Sequence, residues 1–511
     1  MNIRLKNYIF LLMFVLFFLL PETGRAENPQ ETARTENQAD IDVLLKKAKE
    51  LEKKFAFDES YACYMRVKQL FLKAGDTAKA RMNEVYAQRL MMIVDADYPY
   101  SESEAIEILK KTFPAVPADR LKKTLRSGEI PFIMRDSKPR YFGRLIDNLG
   151  FRHKEFRTPA FIKIQQSIME PFENIIFKNT GGGNAWQPYS VPVEYSYTGK
   201  LDIARSKLPA QGLMRIWIPI PILDAAQPDV RIISVEPAQY VTYPARFDST
   251  LGSVCYEIPL EALKNDLKIN VNIKFDHYCQ SFEIDPSKIG EYDQRSPVYV
   301  KNTASGGNLQ ITSGIKQRAE QIVSKEKNPY RAAKKIYTYM LSNIAYGFMP
   351  HFTLNAAGMP ESIYVHENGY GDCGAQSVYF SALCRSIGIP ARISGGKLVQ
   401  PKFTEDHFWA EIYLPNYGWV PVDTSMAQTA GYIPDVSPEK RKQFEDYFFG
   451  QQDPFRMIMQ NEVDAQPVPR PQFPVIFKMV MQFPFVECME CDEDLDLVTY
   501  EGWDIDVHPV K

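Results

Sequence analysis

The 511-residue sequence predicts a multidomain α+β protein, because its hydrophobic period changes along the chain. Apolar residues recur with a helical period from 27 to 178 and with a period of two from 189 to 290, and both patterns alternate from 300 to 435. The length allows two to four cores. Composition is that of an ordinary globular protein, 45% hydrophobic and 24% charged. A formal net charge of −3 gives no electrostatic reason to expect a nucleic-acid partner. With 36 prolines, 28 tyrosines and 31 phenylalanines, the chain suits aromatic-packed β domains better than an all-helical array.

Residues 1–26 read as a secretory signal peptide. Arg4 and Lys6 precede an apolar run from Tyr8 to Leu20, Pro21 breaks it, and Gly24 and Ala26 supply the small residues of a cleavage site before Glu27. The run is shorter than the ~20 residues that span a bilayer. No cysteine precedes Cys63, which excludes a lipid-modified N-terminus, and no later run is long enough to span. The expectation is an exported protein, periplasmic or extracellular, with no transmembrane segment in the mature chain.

From 27 to 178 a helical, repeat-like module is expected. Leu44, Ala48 and Leu51 share one helix face, and Ala62, Met65, Val67 and Phe71 belong to the next helix. Gly75-Asp76 turns into a third helix from Thr77, and further helices are expected from Ser101 to about Asn148. The rhythm resembles tetratricopeptide hairpins without a clean ~34-residue period. Such a module offers a surface for a protein partner.

Lys178 to Pro188, "KNTGGGNAWQP", is a glycine-rich linker. Beyond it, alternating segments such as "LMRIWIPIP", "SVCYEIPL" and "LKINVNIKF" predict a β-sandwich-like domain over 189–290. Cys255 and Cys279 fall there on neighbouring strand segments, either as a disulfide or as two buried thiols. Seven cysteines are too few for a disulfide scaffold, and their odd number leaves at least one free or paired with another chain.

A further domain follows over 300–435. Asn328 and Pro329 have the types of an N-cap and a first helical residue. A second helix is expected from Cys373 to about Ile387, closed by Gly388 before Pro390. Three strands come next, "ARISGGKLV", "DHFWAEIYLP" and "GWVPVDTS", the last two joined by "PNYG". Residues 436–511 form a C-terminal extension expected to pack on this core.

Thiolate chemistry needs a stabilised sulfur anion, a base and a group that orients the base. Cys373 stands at a helix start, where unpaired backbone N–H groups favour negative charge. His407 begins one strand and Asp423 ends its hairpin partner, within a few residues of cross-strand register. One imidazole nitrogen then meets the carboxylate while the other faces the thiol. The helix start and His407 are expected to lower the thiol's pKa.

The stretch "GDCGAQSVYFSALCRSIGIPAR…DHFWAEIYLPNYGWVPVDTS" resembles the transglutaminase-like superfamily. The matching elements are Gly371-x-Cys373, "LCRSIGIPAR", His407-x-Trp409-x-Glu411 and "GWVPVD", with a looser likeness in "YFFGQQDPFRM". The resemblance implies a papain-type cysteine-protease α+β core, with Cys373 as nucleophile, His407 as base and Asp423 as orienting acid. Animal transglutaminases carry Trp directly after the cysteine, where this chain has Gly374, which favours hydrolysis over amine transfer. The oxyanion donors expected are the Cys373 backbone N–H with Tyr346 or Gln376.

Other residues take blander readings. Cys384 lies on the inner helix face, Trp409 and Trp419 read as packing residues, and Arg392 as the partner of an internal carboxylate. Cys488-x-x-Cys491 with His508 is a lone CxxC, and no metal site or cofactor is expected from it. His153, His277, His351 and His366 are scattered without ligand spacing. The reading is an exported cysteine-dependent enzyme acting on protein or peptide amide bonds through an acyl-thioester. The alternative is a protein-binding or assembly factor with a vestigial transglutaminase-like domain.

Overall fold

The computed structural model of the chain describes residues 29–177, 188–472, 482–488, 491 and 495–510. The leader expected over 1–26 and the linker residues 178–187 lie outside the described residues. Among the described residues no helix is long and apolar enough to cross a membrane.

Helices Pro29–Glu52, Phe57–Lys73 and Thr77–Asp97 open the chain. Gly75, at φ 77°, reverses its direction in a conformation that suits glycine. Asp76 then caps the third helix through the Lys79 N–H. Phe57, Tyr64, Leu90 and Val94 form the shared core. Helices Glu102–Thr112 and Ala118–Arg126 follow, the first begun by a reciprocal Ser101–Glu104 capping box.

Helix was expected onward to about Asn148, and here the structure differs. Phe132–Arg135 and Lys138–Tyr141 pair as a β-hairpin. Its turn residues Asp136 and Ser137 have φ of 47° and 60°, the two-residue turn whose twist matches that of paired strands. Helices Leu145–Arg152 and Pro159–Met169 complete this part.

Two antiparallel sheets come next. Tyr189–Ile203 and Asp229–Glu236 flank the long strand Leu267–Ser281 in one. Leu213–Pro219, Ser253–Pro259 and Val241–Arg246 run side by side in the other. Tyr195, Ile269 and Val271 from the first sheet meet Ile216, Tyr256 and Ile258 from the second in one apolar core. Cys255 and Cys279 lie in different sheets and both are free thiols, so the disulfide option is not realised.

The remaining α+β unit packs helices against a four-stranded sheet. Its strand order is Gly418–Val422, Phe403–Leu414, Ala391–Gln400, Arg456–Gln460. Helices Ser313–Val323, Pro329–Asn343 and Cys373–Ser386 cover one face, with Ala375, Val378, Leu383 and Cys384 set against Ile393, Ala410 and Ile412. Asn328 accepts the Arg331 N–H at the start of the second of these helices, with Pro329 in its first turn. The Cys373 helix is buried almost all round because it lies between the sheet and the other helices.

The C-terminal segment does not simply pack on this unit. Arg456–Gln460 completes its sheet, whereas Phe485–Cys488 pairs with Leu213–Pro219 and Trp503–Pro509 with Tyr189–Ile203. Each addition satisfies backbone groups that an edge strand would leave open.

Candidate active site

Cys373 is the first residue of its helix and keeps partial exposure. Its sulfur faces the backbone N–H groups of Phe408 and Gly374. Burial, followed by the charge of Asp372, pushes the thiol well up, and those two N–H groups act against the shift. A lowered thiol was expected from the helix start. Desolvation here works against the helix end, so a base beside the sulfur would ease the release of its proton.

His407, the residue expected to act as that base, stands on the neighbouring strand. His407 stands in Phe403–Leu414, opposite Gly396, and its Nε2 lies 2.8 Å from Asp423 Oδ2. The hairpin register pairs Ala410 with Val422, which brings Asp423 back beside Trp409, two residues from His407 in the middle of the strand. Asp423 Oδ1 accepts the Met426 N–H at 3.0 Å and the Ser425 hydroxyl at 3.1 Å, capping the short helix that follows. With Nε2 held by the carboxylate, Nδ1 is the nitrogen left for proton transfer.

Asp423 has a further partner that the sequence reading did not name. Arg456 Nη1 donates to Asp423 Oδ2 at 2.8 Å, while its Nε and Nη2 donate to Asp453 Oδ2 at 3.0 and 2.9 Å. Arg456 is fully buried, with its guanidinium 4.9 Å from the centre of the Trp409 ring. Burial would raise the Asp423 carboxyl, but the facing His407 and Arg456 charges hold it well below the usual carboxylate range. Glycine makes this approach possible. A Cβ on Gly396 would stand 2.0 Å from the Met457 carbonyl oxygen, at the bulge where the Arg456 strand joins the sheet.

Tyr346 and Gln376 were the two oxyanion residues expected. Ala345–Tyr346 pairs in parallel with Tyr370–Gly371, setting Tyr346 opposite Gly371, two residues before Cys373. Burial and then the nearby Cys373 charge push the Tyr346 phenol well up. Gln376 is fully buried and donates its amide protons to the Gly371 carbonyl at 3.1 Å and to Gln428 Oε1 at 3.0 Å. Those bonds brace the Cys373 turn and leave the side chain no free proton for an oxyanion. Phe151, from helix Leu145–Arg152, packs on Tyr346 at 4.6 Å and Tyr432 at 5.1 Å, so the N-terminal helices wall this side.

Cys384 is fully buried. Trp409 is buried, and Trp419 lies 4.5 Å under the Arg392 guanidinium. Arg392 pairs with Glu411 and, at 2.7 Å, with Asp224. Cys488 and Cys491 form a disulfide, and His508 is exposed with Asp506 3.5 Å away. His351, without ligand spacing in the sequence, lies between Glu361 and Asp372, the residue preceding Cys373.

A helix-borne cysteine facing a histidine–carboxylate strand pair defines the class of cysteine-protease-like α+β folds. Residues 316–424 match the family model of the transglutaminase-like superfamily. The chain is 26% identical over 269 residues to an uncharacterized protein of Haemophilus influenzae, covering 45% of this chain and 68% of the relative. A solved structure titled "Putative Cysteine Protease" from Cytophaga hutchinsonii is similar at 13% identity and TM-score 0.36, over 63% of this chain and 92% of that one. The periplasmic domain of TgpA from Pseudomonas aeruginosa is similar at 13% identity and TM-score 0.24, over 52% of this chain and 100% of that one.

Proposed function

We propose that this chain is an exported, cysteine-dependent enzyme that acts on amide bonds of proteins or peptides. The observation that carries the reading is the 2.8 Å His407–Asp423 bond, on a strand whose next residue, Phe408, turns its N–H to the Cys373 sulfur. Export rests on the leader pattern at 1–26.

In this reading His407 takes the proton from Cys373 Sγ as the sulfur attacks the substrate carbonyl carbon. The resulting oxyanion is held by the Cys373 backbone N–H and the Tyr346 hydroxyl. His407 returns the proton to the leaving nitrogen, the C–N bond breaks, and an acyl-thioester remains on Cys373. Water, losing a proton to His407, then breaks the thioester, giving a carboxylic acid and the free thiol. Asp423 fixes the tautomer and orientation of the ring throughout.

Hydrolysis is favoured over amine transfer because water is in great excess and Gly374 stands where animal transglutaminases place a shielding tryptophan. The test combines the mature protein, dye-labelled casein and a fluorescent primary amine. Release of labelled peptides, abolished by Cys373→Ser, is the expected outcome. Cys373-dependent incorporation of the amine that outpaces peptide release would reverse the choice of acceptor. Neither activity in any condition would remove the enzymatic reading.

A further inference from the structure

The nucleophile has a neighbour of the wrong charge. Asp372 immediately precedes Cys373 and caps its helix, accepting the Ala375 N–H on Oδ1 at 3.1 Å. A carboxylate in this position opposes a sulfur anion, and it is 8% exposed, so water screens it little. Its second oxygen, Oδ2, is bonded to His351 Nε2, and His351 Nδ1 lies 2.7 Å from Glu361 Oε1. Glu361 is 3% exposed, and its Oε2 has no hydrogen-bond partner.

We propose that His351 is a positioning residue for the Cys373 chemistry: its imidazolium, clamped between Glu361 and Asp372, cancels the carboxylate charge beside the thiol and so permits a thiolate to form. The proposal rests on the nucleophile reading above.

The charges around the cluster agree with that assignment. Three acids face His351 from three elements: Glu361 from helix Glu361–Asn368, Asp372 from the turn before the Cys373 helix, and Asp97 from the end of helix Thr77–Asp97. Asp97 also accepts the Thr353 N–H at 3.0 Å, which ties the His351 helix to the N-terminal module. Asp464 acts on Glu361 from farther along the chain. Cys373 itself feels Asp372 and Asp423, and its charge in turn acts on Tyr346. Burial alone would strip the proton from His351, but Asp372 and Glu361 outweigh burial and hold the ring protonated to well above its ordinary range. Without that proton, Asp372 would stand uncompensated next to the attacking sulfur. The site therefore uses two imidazoles differently. His407 moves a proton and His351 keeps one.

The test is the pH dependence of Cys373 alkylation by iodoacetamide, read by peptide mass spectrometry from about pH 5 to 10. It compares the full-length mature protein with His351→Gln, Asp372→Asn and the double variant. His351→Gln should raise the alkylation midpoint by about one unit, a roughly tenfold loss of rate at neutral pH. Asp372→Asn should lower the midpoint, since asparagine still caps the helix but carries no charge. In the double variant the Asp372 change should suppress the His351 defect. An unchanged midpoint in His351→Gln overturns the proposal, as does a double variant as impaired as His351→Gln. Asp372→Asn is near-isosteric and keeps the fold in question least, so its failure to lower the midpoint overturns the proposal by itself. His407→Ala, run alongside, separates the two readings. No effect there counts against the nucleophile assignment and this proposal together. An effect there with none from His351→Gln overturns this proposal alone.

Discussion

Arg456 donates to the same carboxylate oxygen of Asp423 that holds His407, with both contacts at 2.8 Å. The arginine is anchored from its other side by Asp453, so Asp423 is itself held in place. All four residues lie at or near zero exposure, where an ion pair that loses one member leaves an uncompensated charge.

Arg456→Met should therefore cost about 3–5 kcal/mol of stability, measured by urea unfolding. It should also move the acid limb of kcat/KM to higher pH, because Asp423 loses the cation that keeps it ionised. Arg456→Lys retains the charge without the two-pronged geometry. It should restore the acid limb while recovering only part of the rate. A purely structural arginine would lower the rate in both variants and leave the limb where it was.

Asp423→Asn should lower kcat by about three to four orders of magnitude, because the ring loses its tautomer and orientation. Asparagine can still accept the Met426 N–H, so the short helix keeps its cap and the melting profile should stay cooperative. Activity close to the parent would show that another group holds His407.

Stability should fall on both sides of neutrality, through two different groups. The Asp423 carboxyl is depressed on folding. Its contribution is complete above the unfolded value of about 3.9 and is lost as pH falls toward the folded one. His351 is raised on folding. Its contribution is complete below about 6.5 and is lost as pH rises through the folded value. Melting temperature across pH should thus lose acid-side slope in Asp423→Asn and alkaline-side slope in His351→Gln. Parallel curves for the parent and both variants would contradict the assignment.

The parts of this site that are legible in sequence are the local ones. Cys373 announces itself by its helix start, and His407 and Asp423 by a short hairpin whose register follows from "PNYG". Arg456 and His351 reach the site from distant segments, through a sheet bulge at Gly396 and a separate helix; Arg456 lies in the "YFFGQQDPFRM" segment of looser likeness, which assigns it no role, and nothing adjacent to His351 marks its destination. Gln376 is an expected oxyanion donor from the sequence, but its hydrogen bonds to Gly371 and Gln428 depend on the tertiary fold. The Phe132–Tyr141 hairpin has only four residues per strand, too few for a period of two to stand out within a helical region. The strands that join the two sheets from beyond 480 complete edges formed more than 200 residues earlier, a pairing no local pattern encodes.

Competitive alkylation of the native protein is the direct test of Cys373 as a nucleophile served by His407. Five thiols are free, of which Cys63, Cys255 and Cys384 are buried while Cys279 and Cys373 are partly exposed. Burial pushes Cys279 up to about 11, Cys255 up to about 12 and Cys373 well up as well, so selective labelling of Cys373 would have to come from His407 taking its proton. With substoichiometric iodoacetamide at neutral pH, Cys373 should take nearly all the label, His407→Ala should reduce that labelling at least tenfold, and Cys384 should react only after unfolding. Labelling of Cys373 no faster than of Cys279, or at the same rate with and without His407, would contradict the account.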